Sequence, residues 1–292
     1  MDKKFFEEET RWDYLITKKQ KKIWALELEI LEFLDEICKK HGLRYYLEHG
    51  TLLGAARHQG FIPWDDDLDV GMPRPDYEKL KVIMETEIRE PFFFQTAYTD
   101  SLMFPFAKIR NTNTTAIEEV YCTEDAPHQG IYIDIFPLDG VFLEENAPYE
   151  RMEREIWMTI SSPEVVIEAM EKNTPFFLPY DMLISLLEKP IRDRFRQFEA
   201  LLVSSYDKAT EIGLILPAIY GMNRKYSKSW YEKTVELPFE HLRIPAPAEY
   251  TKVLELLYGD YMTPVQGASA HNEIFMDPDR SYLEYYRERG LV

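Results

Sequence analysis

The segment FIPWDDDLDVGM sets acids at Asp65, Asp66, Asp67 and Asp69 among apolar neighbours. Side chains alternate faces along a strand, so Asp67 and Asp69 are expected to share one side while Leu68 and Val70 turn to the core. Two carboxylates one strand step apart suit a hard divalent cation. Mg²⁺, or Mn²⁺ in its place, takes one or two protein carboxylates and completes its shell with water and substrate phosphate. Asp134, flanked by isoleucines in IYIDIF, is a third acid on an apparently interior stretch. An isolated charge there is costly unless a cation or strong donors stand beside it. Asp67, Asp69 and Asp134 are therefore read as sharing a metal, and Asp65 and Asp66 as supporting or surface residues. A calcium loop of the EF-hand kind is excluded, because its glycine position is Val70, its bidentate glutamate position is Asp76, and Pro63, Pro73 and Pro75 spoil the flanking helices.

Gly50-Thr51 at the start of a helix offers backbone N–H groups, a helix dipole and a hydroxyl, which together make an anion site. It precedes the acidic strand by one helix, which puts phosphate and metal side by side. Among the cations nearby (Arg57, Arg74, Lys108 and Arg110), Lys108 and Arg74 are ranked first as phosphate ligands, from their places beside the motif strands. Other chemistries find no support. The histidines (41, 49, 58, 128, 241 and 271) show no zinc-like spacing, and no nucleophile elbow or dinucleotide glycine fingerprint is present.

These residues need elements to position them. Apolar residues at spacings of three and four from Ile23 to Ile37 predict an amphipathic helix over 17–40, ended by Gly42. A short strand over 43–48 follows, then the helix LLGAARHQ closed by Gly60, a strand over 67–72, and a helix from Asp76. FPFAKIRN, TTAIEEV and QGIYIDIFPLDG are further strand candidates. Residues 145–235 read as a helical insertion that includes a basic helix from Lys189, with Arg192, Arg194 and Arg196, and an apolar stretch around Ile212–Tyr220. The tail from Pro238 is expected to hold one helix, AEYTKVLELLYGDY.

The chain has 292 residues and a formal net charge of −18, which argues against a nucleic-acid polymer as partner. At 45% hydrophobic residues it can fill a sizeable core. Cys38 and Cys122 are too few for a disulfide framework, and the charged N-terminus lacks a signal-peptide core, so a cytoplasmic location is expected. The longest uncharged apolar stretch, 212–223, falls short of the roughly 20 residues a bilayer span needs. Contact with a membrane surface stays open.

The order of Gly-Thr turn, helix, Asp-x-Asp strand and a single Asp on a later strand resembles the polymerase-beta-like nucleotidyltransferase fold. More specifically, HGTLLGAARHQGFIPWDDDLDVGMPRPDYEKL resembles the signature of the LicD family, which includes phosphocholine transferases of bacterial surface glycans and relatives of fukutin. The likeness is dense over 43–82, continues through FAKIRNTNT and GIYIDIFPLDG, and returns weakly at LYGDYMTP; residues 145–235 lie outside it. It implies an α/β (α+β) architecture, with a small mixed sheet, flanking helices and a helical insertion. The catalytic core would span 1–144, the insertion 145–235, and 236–292 would pack back on the core. It also implies Asp67, Asp69 and Asp134 as catalytic metal ligands, and Gly50 and Thr51 as the phosphate turn. The implied reaction transfers a substituted phosphate, phosphocholine-like, from a CDP-linked donor to a sugar hydroxyl of a lipopolysaccharide or teichoic-acid precursor, releasing CMP. The acceptor would be a glycan or lipid-linked glycan, met in the cytoplasm or at the inner face of the membrane. Two metals about 3.5–4 Å apart would hold the attacking and leaving oxygens, with Asp134 as ligand or as proton acceptor. Attachment of a nucleoside monophosphate to a small molecule or protein would use the same acids, and a non-catalytic nucleotide- or metal-binding module would keep the fold.

Overall fold

The computed structural model describes residues 2–141, 148–214, 225–266 and 274–292. Much of the apolar stretch around Ile212–Tyr220, the 144/145 boundary and His271 lie outside the described residues. The architecture is mixed α and β, as expected. It divides into two compact units, one of residues 1–72, 76–136 and 233–292, the other of 73–75 and 137–232.

The first unit is built on α1 (Lys18–His41). Thr17 caps its N-terminus by accepting a hydrogen bond from the Gln20 amide, and Gly42 ends it at φ 65°, where a Cβ would be strained. The helix buries more than one stripe: Ile23, Trp24, Leu28, Ile30, Leu31, Phe33, Leu34, Ile37 and Cys38 are all interior. After β1 (Glu9–Arg11) and β2 (Tyr14–Ile16), which form a hairpin, come β3 (Tyr46–Leu47), α2 (His49–His58), β4 (Asp69–Pro73) and α3 (Arg74–Glu87). Next are β5 (Phe92–Gln95), β6 (Ala107–Asn111), β7 (Thr115–Ile117) and β8 (Tyr132–Val141). In this unit the sheet runs β3, β4, β8, β6, β5, with β3 antiparallel to β4 and β6 antiparallel to both β5 and β8.

Several boundaries differ from expectation. The first short strand covers only Tyr46–Leu47, because the chain enters α2 at His49, whose φ of 49° turns it sharply. Gln59, at φ 59°, caps α2 in place of Gly60. Gly60 is instead required because a Cβ there would meet Glu240 Oε1 at 2.2 Å. Strand β4 starts at Asp69, so Asp67 precedes it, yet the alternation holds: Leu68 and Val70 are buried while Asp67 and Asp69 are partly exposed.

The second unit contains α4 (Pro148–Ser161), α5 (Pro163–Glu171), α6 (Tyr180–Leu187) and α7 (Ile191–Tyr206), with α4 packed on the other three. Trp157, Phe195 and Phe198 form its aromatic centre. The region is less purely helical than expected. Strand β9 (Glu211–Leu214) pairs antiparallel with the second half of β8 and with β10 (Tyr226–Ser227). A Cβ at Gly140 would meet Ala209 Cβ at 2.9 Å and Tyr206 Cα at 3.0 Å, so glycine lets the end of α7 lie against the strand. The C-terminal residues hold more than the one helix expected. The hairpin β11 (Thr234–Phe239) and β12 (Leu242–Pro247) packs on β3 and α2, followed by α8 (Tyr250–Tyr258), β13 (Phe275–Asp277), paired with β7, and α9 (Tyr282–Arg289).

Within the second unit Arg74 donates from Nε to Asp139 Oδ1 at 2.5 Å and from Nη2 to Oδ2 at 2.7 Å, with both side chains about 1% exposed. Removing one partner of such a pair leaves an uncompensated buried charge. Asp139→Asn is expected to destabilise the protein by about 3–5 kcal/mol in urea unfolding, while Arg74→Met/Asp139→Leu recovers most of that loss.

Candidate functional site

All residues of the candidate site belong to the first unit. One face of α1 holds the acidic loop from beneath. Gln20 Nε2 donates to Pro63 O at 3.0 Å, Trp24 Nε1 donates to Asp65 O at 3.1 Å, and the Trp24 ring stacks on Phe61 at 4.6 Å. The loop is closed locally by a bond from Asp65 N to Ile62 O. These bonds use the backbone of the loop. The first turn of α2 comes against the same loop, since a Cβ at Gly50 would meet Asp65 Oδ2 at 2.7 Å.

Three hydrogen bonds then bring distant residues into register. Asp69 N donates to the buried Thr51 Oγ1 at 2.8 Å, Glu48 N donates to Asp69 O at 3.1 Å, and Asp134 N donates to Leu68 O at 3.0 Å. The last of these carries Asp134, remote in sequence, to the Asp67–Asp69 stretch. Lys108 faces Asp134 across the β6–β8 ladder, and its Nζ lies 2.8 Å from Asp134 Oδ1 and 3.6 Å from the centre of the Tyr132 ring. Both charges are buried, so each replaces the solvation the other has lost.

The electrostatics follow from this crowding. Burial, then the charges of Asp67, Asp134 and Asp65, push the Asp69 carboxyl well above the usual carboxylate range, with Lys108 pulling the other way. Burial lowers the Lys108 ammonium, opposed by Asp134. Glu27, 1% exposed on α1, is raised well above its ordinary value by burial and then by Asp67, Asp66, Asp65 and Asp69. A carboxylate oxygen from each of Asp65, Asp66 and Asp67 lies within 4.8 Å of the others.

The structure therefore gathers Asp67, Asp69, Asp134 and Lys108, with Gly50 and Thr51 alongside. Arg74 is a correction. Its guanidinium is committed to Asp139 in the second unit and is almost wholly buried, so it is an internal counter-ion rather than a cation offered to a ligand. Arg110 is likewise buried, donating to Gln95 Oε1 and Gly130 O, and Arg57 donates to Tyr261 O. Thr51 commits its oxygen to the Asp69 amide. Asp65 and Asp66 cluster with Asp67, and Glu27, which the sequence analysis did not single out, is buried within reach of their charges. The available signal was the spacing of Gln20, Trp24, Glu27 and Leu31, which puts a glutamate in an otherwise interior stripe of α1.

Residues 42–172 match the family model described as LicD/FKTN/FKRP, nucleotidyltransferase domain. The chain is 29% identical over 244 residues to the lipopolysaccharide cholinephosphotransferase LicD of Haemophilus influenzae, an alignment covering 80% of this chain and 88% of that protein. An uncharacterized protein of Rickettsia prowazekii is 34% identical over 116 residues, 39% of this chain and 40% of its own length. The ribitol 5-phosphate transferase FKRP of Homo sapiens is 48% identical over 44 residues, which is 15% of this chain and 9% of that protein. Residues 42–172 thus carry a domain of the LicD/FKTN/FKRP kind, and along most of its length the chain is similar to the Haemophilus enzyme.

Proposed function

We propose that this protein transfers a substituted phosphate, phosphocholine-like, from a CDP-linked donor to a sugar hydroxyl of a glycan or lipid-linked glycan and releases CMP. The observation that carries this reading is the convergence of Asp67, Asp69 and the buried Asp134 on one site, with Asp65 and Asp66 beside them. The relatives named as cholinephosphotransferase and ribitol 5-phosphate transferase support transfer of a phosphate-bearing group.

The donor set fits a hard divalent cation. It consists of carboxylates, and the like charges crowded around Asp69 are those a cation would neutralise. Asp67, Asp69 and Asp134 would hold Mg²⁺ or Mn²⁺, which when bound supplies charge neutralisation at phosphate oxygens and acidifies the attacking hydroxyl. The protein's own residues do the rest. Lys108 keeps a positive charge against Asp134, and Thr51 fixes the backbone from which Asp69 projects. The first-turn amides of Gly50 and Thr51, which a helix leaves without internal acceptors, face the donor phosphate. In the reaction the acceptor oxygen bonds to the phosphorus that carries the head group, the bond to the CMP oxygen breaks, and the hydroxyl proton passes to a carboxylate of the site or to water.

The second unit serves the acceptor in this reading. Val165, Ile167, Phe177, Met182, Ile184 and Ile191 are exposed on its helices and connections, in the same region as Lys189 and Arg192, a composition suited to an anionic, lipid-linked partner at the inner face of the membrane. Among the described residues no helix is long and apolar enough to cross a membrane.

Incubation with CDP-choline and Mg²⁺ is expected to release CMP, faster when candidate glycan acceptors are added; pyrophosphate release from a nucleoside triphosphate, with no CMP from CDP-linked donors, would instead mark nucleotidyl transfer. Asp67→Asn and Asp69→Asn are each expected to lower turnover more than about 100-fold. They should also raise the urea midpoint in metal-free buffer, because each removes a like charge from the cluster. Thr51→Val strands the Asp69 amide, at a cost of roughly 1–3 kcal/mol, and should depress turnover with it; Thr51→Ser should restore both.

A further inference from the structure

Glu27 is a carboxylate that the fold does not account for. It sits in the middle of α1, 1% exposed, and among the described residues its Oε2 has no hydrogen-bond partner. Buried acids are normally paired or hydrogen-bonded, and one that is neither calls for an explanation such as a missing ion. Its place on the helix supplies one. Gln20 and Trp24 both reach the acidic loop, and Glu27 follows them three residues after Trp24 and seven after Gln20, on the same face. The charges that act on Glu27 are those of Asp67, Asp66, Asp65 and Asp69, all from that loop. A structural acid at this position would be expected to find a lysine or arginine. Lys21, also buried on α1, is instead paired with Glu9 and lies over the Phe5 and Trp24 rings.

We propose that Glu27 is a further ligand of that metal centre, a carboxylate supplied by α1 that joins the acids of the Asp65–Asp69 segment in holding a divalent cation. The proposal rests on reading the site as a metal centre. It assigns to the long helix a part in the chemistry beyond packing: α1 both clamps the loop through Gln20 and Trp24 and contributes a donor oxygen from below. A rigid helix suits this task, because a ligand whose backbone is fixed lets the cation select the loop conformation.

Mn²⁺ affinity by calorimetry and the hydration number of bound Eu³⁺ by luminescence lifetimes in H₂O and D₂O test this without reference to turnover. Trp24, hydrogen-bonded to the loop, also serves as a sensitiser for Tb³⁺ placed there. Glu27→Gln is expected to weaken Mn²⁺ binding at least tenfold and to add about one water to bound Eu³⁺. Wild-type affinity in the variant, or weaker binding with an unchanged water count, overturns the assignment of Glu27 as a ligand. If the wild-type protein binds neither Mn²⁺ nor Eu³⁺, the metal reading itself falls, a result separate from any behaviour of the variant. Should Glu27→Gln fail to fold, Glu27→Asp keeps the charge but shortens the reach. It too is expected to bind Mn²⁺ more weakly and to add water to Eu³⁺, and wild-type values in it would overturn the proposal.

Discussion

Like charges forced into one small volume are the constraint around which the first unit is organised. Two unit charges 4 Å apart repel by about 4 kcal/mol at the effective dielectric of a protein surface. Asp65, Asp66 and Asp67 approach one another closely, Asp69 feels three aspartates, and Glu27 feels four. A loop left to itself would swing such side chains apart into water. It is kept from doing so through its backbone: Gln20 and Trp24 take its carbonyl oxygens, Thr51 takes the Asp69 amide, and the Leu68 carbonyl is bound by Asp134 N. The fold directs neutral hydrogen bonds to the peptide groups of the loop, which holds its acidic residues close together.

Strand β8 carries two buried aspartates that meet different ends. Asp134, in the first unit, faces a lysine, whose single ammonium leaves carboxylate capacity for another partner. Asp139, in the second unit, is taken by the arginine fork, which engages both of its oxygens. The chemistry of the counter-ion thus separates the acid proposed for the site from a scaffold acid on one strand. The same distinction explains why Arg74, close in sequence to the acidic strand, is no phosphate ligand.

Much of the first unit was legible in the sequence because its signals are local. The helical spacing from Ile23 to Ile37, the αL requirement at Gly42, and the alternation of Leu68 and Val70 with Asp67 and Asp69 depend on neighbours within a few residues, and each reappears in the structure. Composition and periodicity were less informative from residue 211 onward. There β9 and the β11–β12 hairpin are short strands whose identity depends on the partners they pair with, and proline-rich sequence obscured them.

By itself the sequence determined which residue types were available for chemistry. An Asp-x-Asp step framed by apolar residues and a lone aspartate among isoleucines could be read directly, since a charge in apolar context needs a reason wherever the chain folds. The tertiary structure alone decided which charges face one another. Lys108 and Asp134 are paired by strand register, Arg74 and Asp139 by the course of β8 in the second unit, and Glu27 enters the site because α1 lies under the loop. The physical reason is range: propensity and periodicity act over a turn or a strand step, whereas Coulomb interaction and desolvation depend on distances through space that no spacing along the chain encodes.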